Sequence, residues 1–219
     1  MSIKTQLSET ARFQVKEHWW LPRLLAPFHK VTVLNDPGPA LGSEPRIIGS
    51  THRSTLDHPF AVLTLVLASF KSIAPIRFVA KERFTWKELF WWPPFRQFYR
   101  WFYRRNMIIP KQHAIPGAVE ALVEQKTSVL IYPEGKIWKG PGVGPLRKGI
   151  VAVHRQSGAS IWLVALYRQK VSAFRWRVVM NWDIAPLVVP SGMSGEEGVE
   201  FIHARLSALY REAEAHGRS

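Results

Sequence analysis

The residues best suited to chemistry lie in the stretch Gly49-Ser-Thr-His-Arg-Ser-Thr-Leu-Asp57, which follows a short apolar run. An imidazole can take up and return a proton near neutral pH. A carboxylate that accepts a hydrogen bond from one ring nitrogen fixes the tautomer and leaves the other nitrogen as a general base. His52 and Asp57 could form such a pair. On a continuous helix their five-residue spacing separates them by about 140°, on different faces. They meet only if the chain turns from a strand through a loop into a helix. His58 is a rival base, but it sits inside the expected helix start and ranks below His52. A His and an Asp at this spacing also recur by chance, so the pair alone does not define a site.

A second candidate stretch is Val129-Leu-Ile-Tyr-Pro-Glu-Gly-Lys-Ile-Trp138. A buried strand would deliver Pro133, Glu134 and Gly135 onto a loop rich in Gly and Pro. The carboxyl ends of strands in α/β folds are favoured places for ligand contacts. The plainer reading is a turn in which Glu134 caps the next segment or pairs with a lysine.

Several chemistries are excluded or disfavoured. The chain has no cysteine, so it has no thiolate metal site, disulfide or Cys nucleophile. No Gly-x-Ser-x-Gly nucleophile elbow is present. The eight histidines lie apart, with no His-x-x-x-His pair and no acidic cluster, so no metal site is expected.

The pattern of elements predicts how these residues are positioned. Lys30–Leu34, Arg46–Gly49, Ile76–Ala80, Met107–Ile109, Val129–Tyr132, Ile161–Leu166 and Phe174–Asp183 read as strands. Helices are expected from Asp57, as an acidic N-cap with Pro59 in the first turn, to about Phe70, and over 86–104 with a break at Pro93-Pro94. Further helices are expected over 115–125, 147–156 and 194–215. Segment 139–145, KGPGVGP, is loop. Residues 6–28 can form an amphipathic helix that Pro22 kinks or ends; it either lies at an interface or packs on the core. Strands alternating with helices predict an α/β fold, a mixed central sheet flanked by helices. The organisation predicted is an N-terminal amphipathic helix over 1–30, a candidate membrane contact, and a single domain over 31–219.

The net charge is +14, from 30 Lys and Arg against 16 Asp and Glu. Ten of those cations fall within 71–111, where the only acids are Glu82 and Glu88. Eleven of the 27 aromatic residues fall within 84–103. Such a segment suits an anionic membrane surface, with Trp91, Trp92 and Trp101 entering the headgroup boundary and Arg96 and Arg100 meeting phosphates. Some of these aromatics belong to the core. Single-stranded nucleic acid is the alternative anionic partner, but no nucleic-acid motif appears, and none is expected to bind. No signal peptide is visible, and no apolar run approaches the roughly 20 residues a helical span needs.

The two stretches together are more specific than either alone. His52-x4-Asp57, followed some distance on by Pro133-Glu134-Gly135, resembles the glycerophospholipid acyltransferase family, typified by 1-acylglycerol-3-phosphate acyltransferase. Arg77-Phe-Val-Ala-Lys81, Asn106-Met-Ile-Ile-Pro-Lys111 and Arg147-Lys-Gly149 resemble intervening and following blocks of that family. The sequence departs from the family pattern in four places. Thr51 stands for Asn before the motif His, Lys111 for Arg, and Lys136-Ile137-Trp138 for Thr-Arg-Ser. The stretch Ser160–Leu166 lacks the usual prolines.

The resemblance implies transfer of a fatty acyl group from an acyl thioester, on coenzyme A or acyl carrier protein, to a lysophospholipid hydroxyl. His52 would be the general base and Asp57 its orienting partner. Pro133, Glu134, Gly135, Lys111 and Lys136 would bind the acceptor's glycerol-phosphate end. No cofactor is implied beyond the acyl co-substrate. With no apolar span and with the basic, aromatic segment 71–111 between the two motif stretches, a peripheral position on the cytoplasmic face of a membrane is expected. Lysophosphatidic acid is the acceptor the family implies. Another lyso-lipid or a hydroxylated amine lipid is the alternative, and a non-catalytic lipid- or nucleic-acid-binding protein is the alternative of a different class.

Overall fold

The structure, a computed structural model, describes residues 2–54, 57, 67–80 and 93–219. Side chains of residues 39, 67–69, 93–96, 98 and 99 are not among those described. The strands are β1 (His29–Leu34), β2 (Ile47–Ser50), β3 (Ile76–Ala80), β4 (Ile109–Pro110), β5 (Ser128–Ile131), β6 (Ile161–Lys170) and β7 (Trp176–Trp182). The helices are α1 (Ile3–Leu25), α2 (Leu67–Ile73), α3 (Pro93–Arg105), α4 (Ala114–Val123), α5 (Gly149–Ser157) and α6 (Gly195–Arg218). The strands form one sheet in the order β1-β7-β6-β2-β5-β3-β4. Among the strand pairs of the described residues, only β6–β7 is antiparallel. The mixed sheet flanked by helices is the architecture the element pattern predicts.

The central strands are apolar on both faces, as buried parallel strands should be. Side chains alternate between two cores. Ile47, Ile161, Leu163 and Ala165 join the core beneath α4, α5 and α6. Ile48, Trp162, Val164 and Leu166 join the other core, with Phe70 and Ile73 of α2. Gly49 faces the first of these cores closely: a Cβ there would stand 2.9 Å from both Ile150 Cδ1 and Leu163 Cδ2. Its absence lets α5 approach β2 closely.

α1 resolves the choice left open for residues 6–28 in an unusual way. Its buried residues are polar: Thr10, Gln14 and Glu17. Gln14 works as a strand edge would. Its amide nitrogen donates to the Ile76 carbonyl at 2.7 Å and to Asn106 Oδ1 at 3.0 Å, and its oxygen accepts from Ile76 N–H at 2.8 Å. This satisfies main-chain groups of β3 that have no strand partner there. Burial pushes the Glu17 carboxyl up to about 7. Val15, Leu21 and Leu25 pack in part against the core, whereas other apolar residues of the same helix face outward, with Trp19 61% and Leu24 59% exposed.

Several elements differ from the sequence expectation. The strand expected over Met107–Ile109 is confined to Ile109–Pro110, because Met107 has φ +48° and is not extended. α1 runs through Pro22 to Leu25, because a proline in the last turn removes only one hydrogen bond. β6 extends to Lys170, four residues past the apolar run, because its polar end still pairs with β7 as far as Trp176. Asp57, expected as an N-cap, is itself helical.

Candidate active site

The site forms at the carboxyl ends of the neighbouring parallel strands β2 and β5, the edge at which α/β sheets present ligand-binding groups. His52 lies two residues beyond β2, and Glu134 three residues beyond β5. Thr51 fixes the exit of β2. Its N–H donates to the Val164 carbonyl at 3.3 Å, its hydroxyl donates to the Leu166 carbonyl at 3.3 Å, and Leu166 N–H donates to that hydroxyl at 2.8 Å. A buried side chain thus continues the β2–β6 pairing by one more step.

His52 and Asp57 meet, as the turn geometry predicts. His52 Nδ1 stands 3.4 Å from Asp57 Oδ2. That contact lies within ion-pair range but is not aligned as a hydrogen bond. Catalytic hydrogen bonds in unliganded sites are often long and tighten in the substrate complex. Asp57 Oδ2 also accepts the main-chain N–H groups of Arg53 and Ser54. Asp57 is fully buried, whereas the His52 side chain retains access to solvent. The other face of the imidazole stacks on Tyr132, with ring centroids 4.1 Å apart and planes 18° from parallel. The ring is therefore held by its edge and by its face. Burial raises the Tyr132 hydroxyl well above its ordinary pKa, so it stays neutral beside the imidazole.

Glu134 is 2% exposed. Its Oε2 accepts His52 N–H at 2.6 Å, and its Oε1 accepts Gly144 N–H at 3.3 Å. Burial pushes its carboxyl up to about 7, opposed by these two N–H groups and by the nearby His52 and Arg53. One side chain thus ties the loop after β5, the loop 139–145 and the main chain of His52 together. Trp138 N–H donates to the His52 carbonyl at 2.7 Å, so both main-chain polar groups of His52 are held from the β5 side.

The loop that reads KGPGVGP is built around the Trp138 ring. A Cβ at Gly140 would come within 2.6 Å of it, and one at Gly144 within 2.8 Å. Arg53 Nη1 pins the same loop by donating to the carbonyls of Gly140 at 2.8 Å and Gly142 at 2.9 Å.

The remaining expected residues divide. Pro133 is buried, and its carbonyl accepts Arg147 N–H at 2.8 Å. Gly135 has φ +68°, the left-handed conformation that favours glycine. Lys111 Nζ donates to the Gly135 carbonyl at 2.7 Å. Lys136 turns toward Trp138, its Nζ 5.8 Å from the ring centroid. Trp91 and Trp92 lie outside the described residues, as does His58, and the Arg96 side chain is not described. Arg100 and Trp101 are exposed on α3. They line a surface depression with Gln97, Arg104 and Arg105.

Sequence reasoning missed Tyr132 as a platform, Arg53 as a loop clamp, and Arg168. Arg168 Nη1 donates to Ser54 Oγ at 2.6 Å, and its guanidinium lies 4.1 Å from the Trp176 ring centroid. An arginine within a strand that begins as a long apolar run was the available signal for it.

Fold and site together define an α/β protein with a His–Asp pair at the end of a parallel strand. A family model described as Acyltransferase matches residues 28–167, and the chain belongs to that family. Among solved structures, the fold is similar to that of the 1-acyl-sn-glycerophosphate (LPA) acyltransferase PlsC from Thermotoga maritima. The TM-score is 0.60 at 19% identity, covering 95% of this chain and 79% of that one. No curated protein matches the chain.

Proposed function

We propose that the protein transfers a fatty acyl group from an acyl thioester to the hydroxyl of a lysophospholipid such as 1-acylglycerol-3-phosphate, as a step of phospholipid synthesis. The observation that carries this reading is the His52 ring, set between Tyr132 and buried Asp57 with its main chain held by Glu134. The family match and the PlsC-like fold support it.

In this mechanism His52 Nδ1 carries its proton toward Asp57, leaving Nε2 as the base. Nε2 takes the proton from the acceptor hydroxyl as its oxygen attacks the thioester carbonyl. Asp57 stabilises the imidazolium that results. The tetrahedral intermediate collapses, the C–S bond breaks, and the departing sulfur receives the proton from Nε2. The products are the ester and the free thiol, and no acyl-enzyme is needed. General base catalysis of this kind contributes about 10²–10⁴-fold in rate. Glu134 acts by positioning: its carboxylate is occupied by main-chain N–H groups and sets where His52 sits. Lys111, beside Gly135, serves the acceptor's phosphate as a point charge.

Membrane attachment is part of the same proposal. Trp19, Leu24 and Phe28 are exposed on or just after α1, and Trp101 is exposed on α3. Phe13 and Trp101 join the two helices edge to face at 5.2 Å, with Arg100 and Arg104 on α3. Apolar and aromatic residues beside arginines suit insertion at an anionic headgroup boundary. Among the described residues no helix is long and apolar enough to cross a membrane. The contact proposed is peripheral, on the cytoplasmic face.

The test of function is product formation. Pure protein supplied with labelled acyl-CoA or acyl carrier protein and a panel of lyso-lipids should yield a diacyl product identifiable by mass. No transfer to any acceptor would refute the proposal.

A further inference from the structure

The sequence lacks arginine at both places where the family usually carries one near the acceptor, having Lys111 and Ile137 instead. A phosphate monoester is best gripped by a guanidinium, which offers two parallel N–H donors where an ammonium offers a point charge. The structure brings a different arginine to this turn. Arg147 reaches it from the residues just before α5. Its main-chain N–H is anchored on the Pro133 carbonyl at 2.8 Å. Its side chain then crosses the face of Gly135, with Cδ and Nε each 2.8 Å, and Cζ 3.3 Å, from where a Cβ on Gly135 would stand. A Cβ on Gly135 would press on that path, and its φ of +68° favours glycine at the same position.

Lys111 Nζ holds the carbonyl of the same glycine, so Gly135 is bracketed by two cations. Gly135 directly follows Glu134, whose carboxylate holds the main chain of His52. Neither cation is neutralised: among the described residues no carboxylate lies within ion-pair distance of Arg147 or Lys111. Both are exposed. Two uncompensated cations, one of them forked, beside a general base make a place for an anion carried close to the reacting hydroxyl. In 1-acylglycerol-3-phosphate the phosphate is borne by the carbon next to the one that carries that hydroxyl.

We infer that Arg147 is a specificity-determining residue that grips the acceptor's phosphate monoester, with Lys111 as its second cation. The inference rests on the proposed acyl transfer for its kinetic consequence but not for its binding consequence. Arg147→Gln keeps the main-chain anchor and removes the charge, and Arg147→Lys keeps the charge and removes the fork. The kinetic measurement compares lysophosphatidic acid with the monoacylglycerol that lacks its phosphate. Losing charge-assisted hydrogen bonds should raise the KM for lysophosphatidic acid about 10- to 100-fold in Arg147→Gln. KM for the acyl thioester should stay as in the wild type, discrimination between the two acceptors should collapse, and Arg147→Lys should recover part of it. An active Arg147→Gln enzyme with undiminished preference for the phosphorylated acceptor would overturn the inference.

A calorimetric titration with glycerol 3-phosphate provides the second measurement, independent of turnover. Binding by the wild type that is lost in Arg147→Gln supports the inference even if no acyl transfer is found. Equal binding by both proteins, or by neither, overturns it.

Discussion

Glu134 Oε2 accepts the main-chain N–H of His52 at 2.6 Å, across a separation of 82 residues in the chain. The acidic residue of one sequence block thus sets the position of His52, the proposed base, in the other. This relationship predicts a kinetic signature. Glu134→Gln keeps one carbonyl oxygen for one of the two N–H groups, so it should fold and lose about tenfold or more in kcat, with the acceptor KM little changed. A side chain that bound the acceptor would instead raise KM. Glu134→Ala leaves two buried N–H groups unpaired, at about 1–3 kcal/mol each, and should also lower the thermal midpoint. Steady-state kinetics and melting curves on both variants check this.

Thr51 stands where the family pattern has asparagine, and its hydroxyl closes a hydrogen-bonded ring with both main-chain groups of Leu166. Thr51→Val conserves shape and removes the hydroxyl. It should cost about 1–3 kcal/mol, because a buried N–H and a buried carbonyl lose their partner. Urea denaturation should show a lower midpoint with an unchanged slope.

Glu17 predicts a pH dependence of stability. Burial raises its carboxyl to about 7 from an ordinary value of 4.5. The folded protein therefore holds this proton more tightly than the unfolded chain does. Its contribution is fully present below about pH 4.5 and is lost as pH rises through about 7, by up to about 3 kcal/mol. Glu17→Gln is neutral throughout, so it should raise the melting temperature more at pH 8 than at pH 5. An equal shift at both values would show that the carboxyl is not buried as a charge above neutrality.

The exposed apolar face of α1 predicts membrane attachment that can be separated from chemistry. The double substitution Trp19→Ser and Leu24→Ser touches no buried residue, so the melting temperature should hold. Flotation on vesicles containing anionic lipid should fall at least several-fold. Wild-type protein that fails to float with either anionic or neutral vesicles would refute the attachment.

The fold was legible where period and punctuation agreed. The apolar runs at Ile47, Val129 and Ile161 became the three central strands, since such runs stay buried whatever packs on them. The His52–Asp57 encounter was also foreseeable, because a strand-to-helix turn is the local geometry that reunites a five-residue spacing. Legibility ended where a side chain bonds main chain far away in sequence. Gln14 completing the edge of β3 across 62 residues, Glu134 holding His52, and Arg147 crossing Gly135 leave no periodic trace. α1 was ambiguous for a related reason: its buried stripe is Thr10, Gln14 and Glu17, while its apolar residues divide, Val15, Leu21 and Leu25 packing in part against the core and Trp19 and Leu24 staying exposed.

The central claim is that His52 is the base for acyl transfer to a hydroxyl. The direct measurement is single-turnover transfer from labelled acyl thioester to lysophosphatidic acid, comparing wild type with His52→Ala at matched secondary structure and thermal midpoint. The account predicts a loss of about 10²–10⁴-fold in the transfer rate with acyl thioester binding intact. Transfer by His52→Ala at the wild-type rate would contradict it.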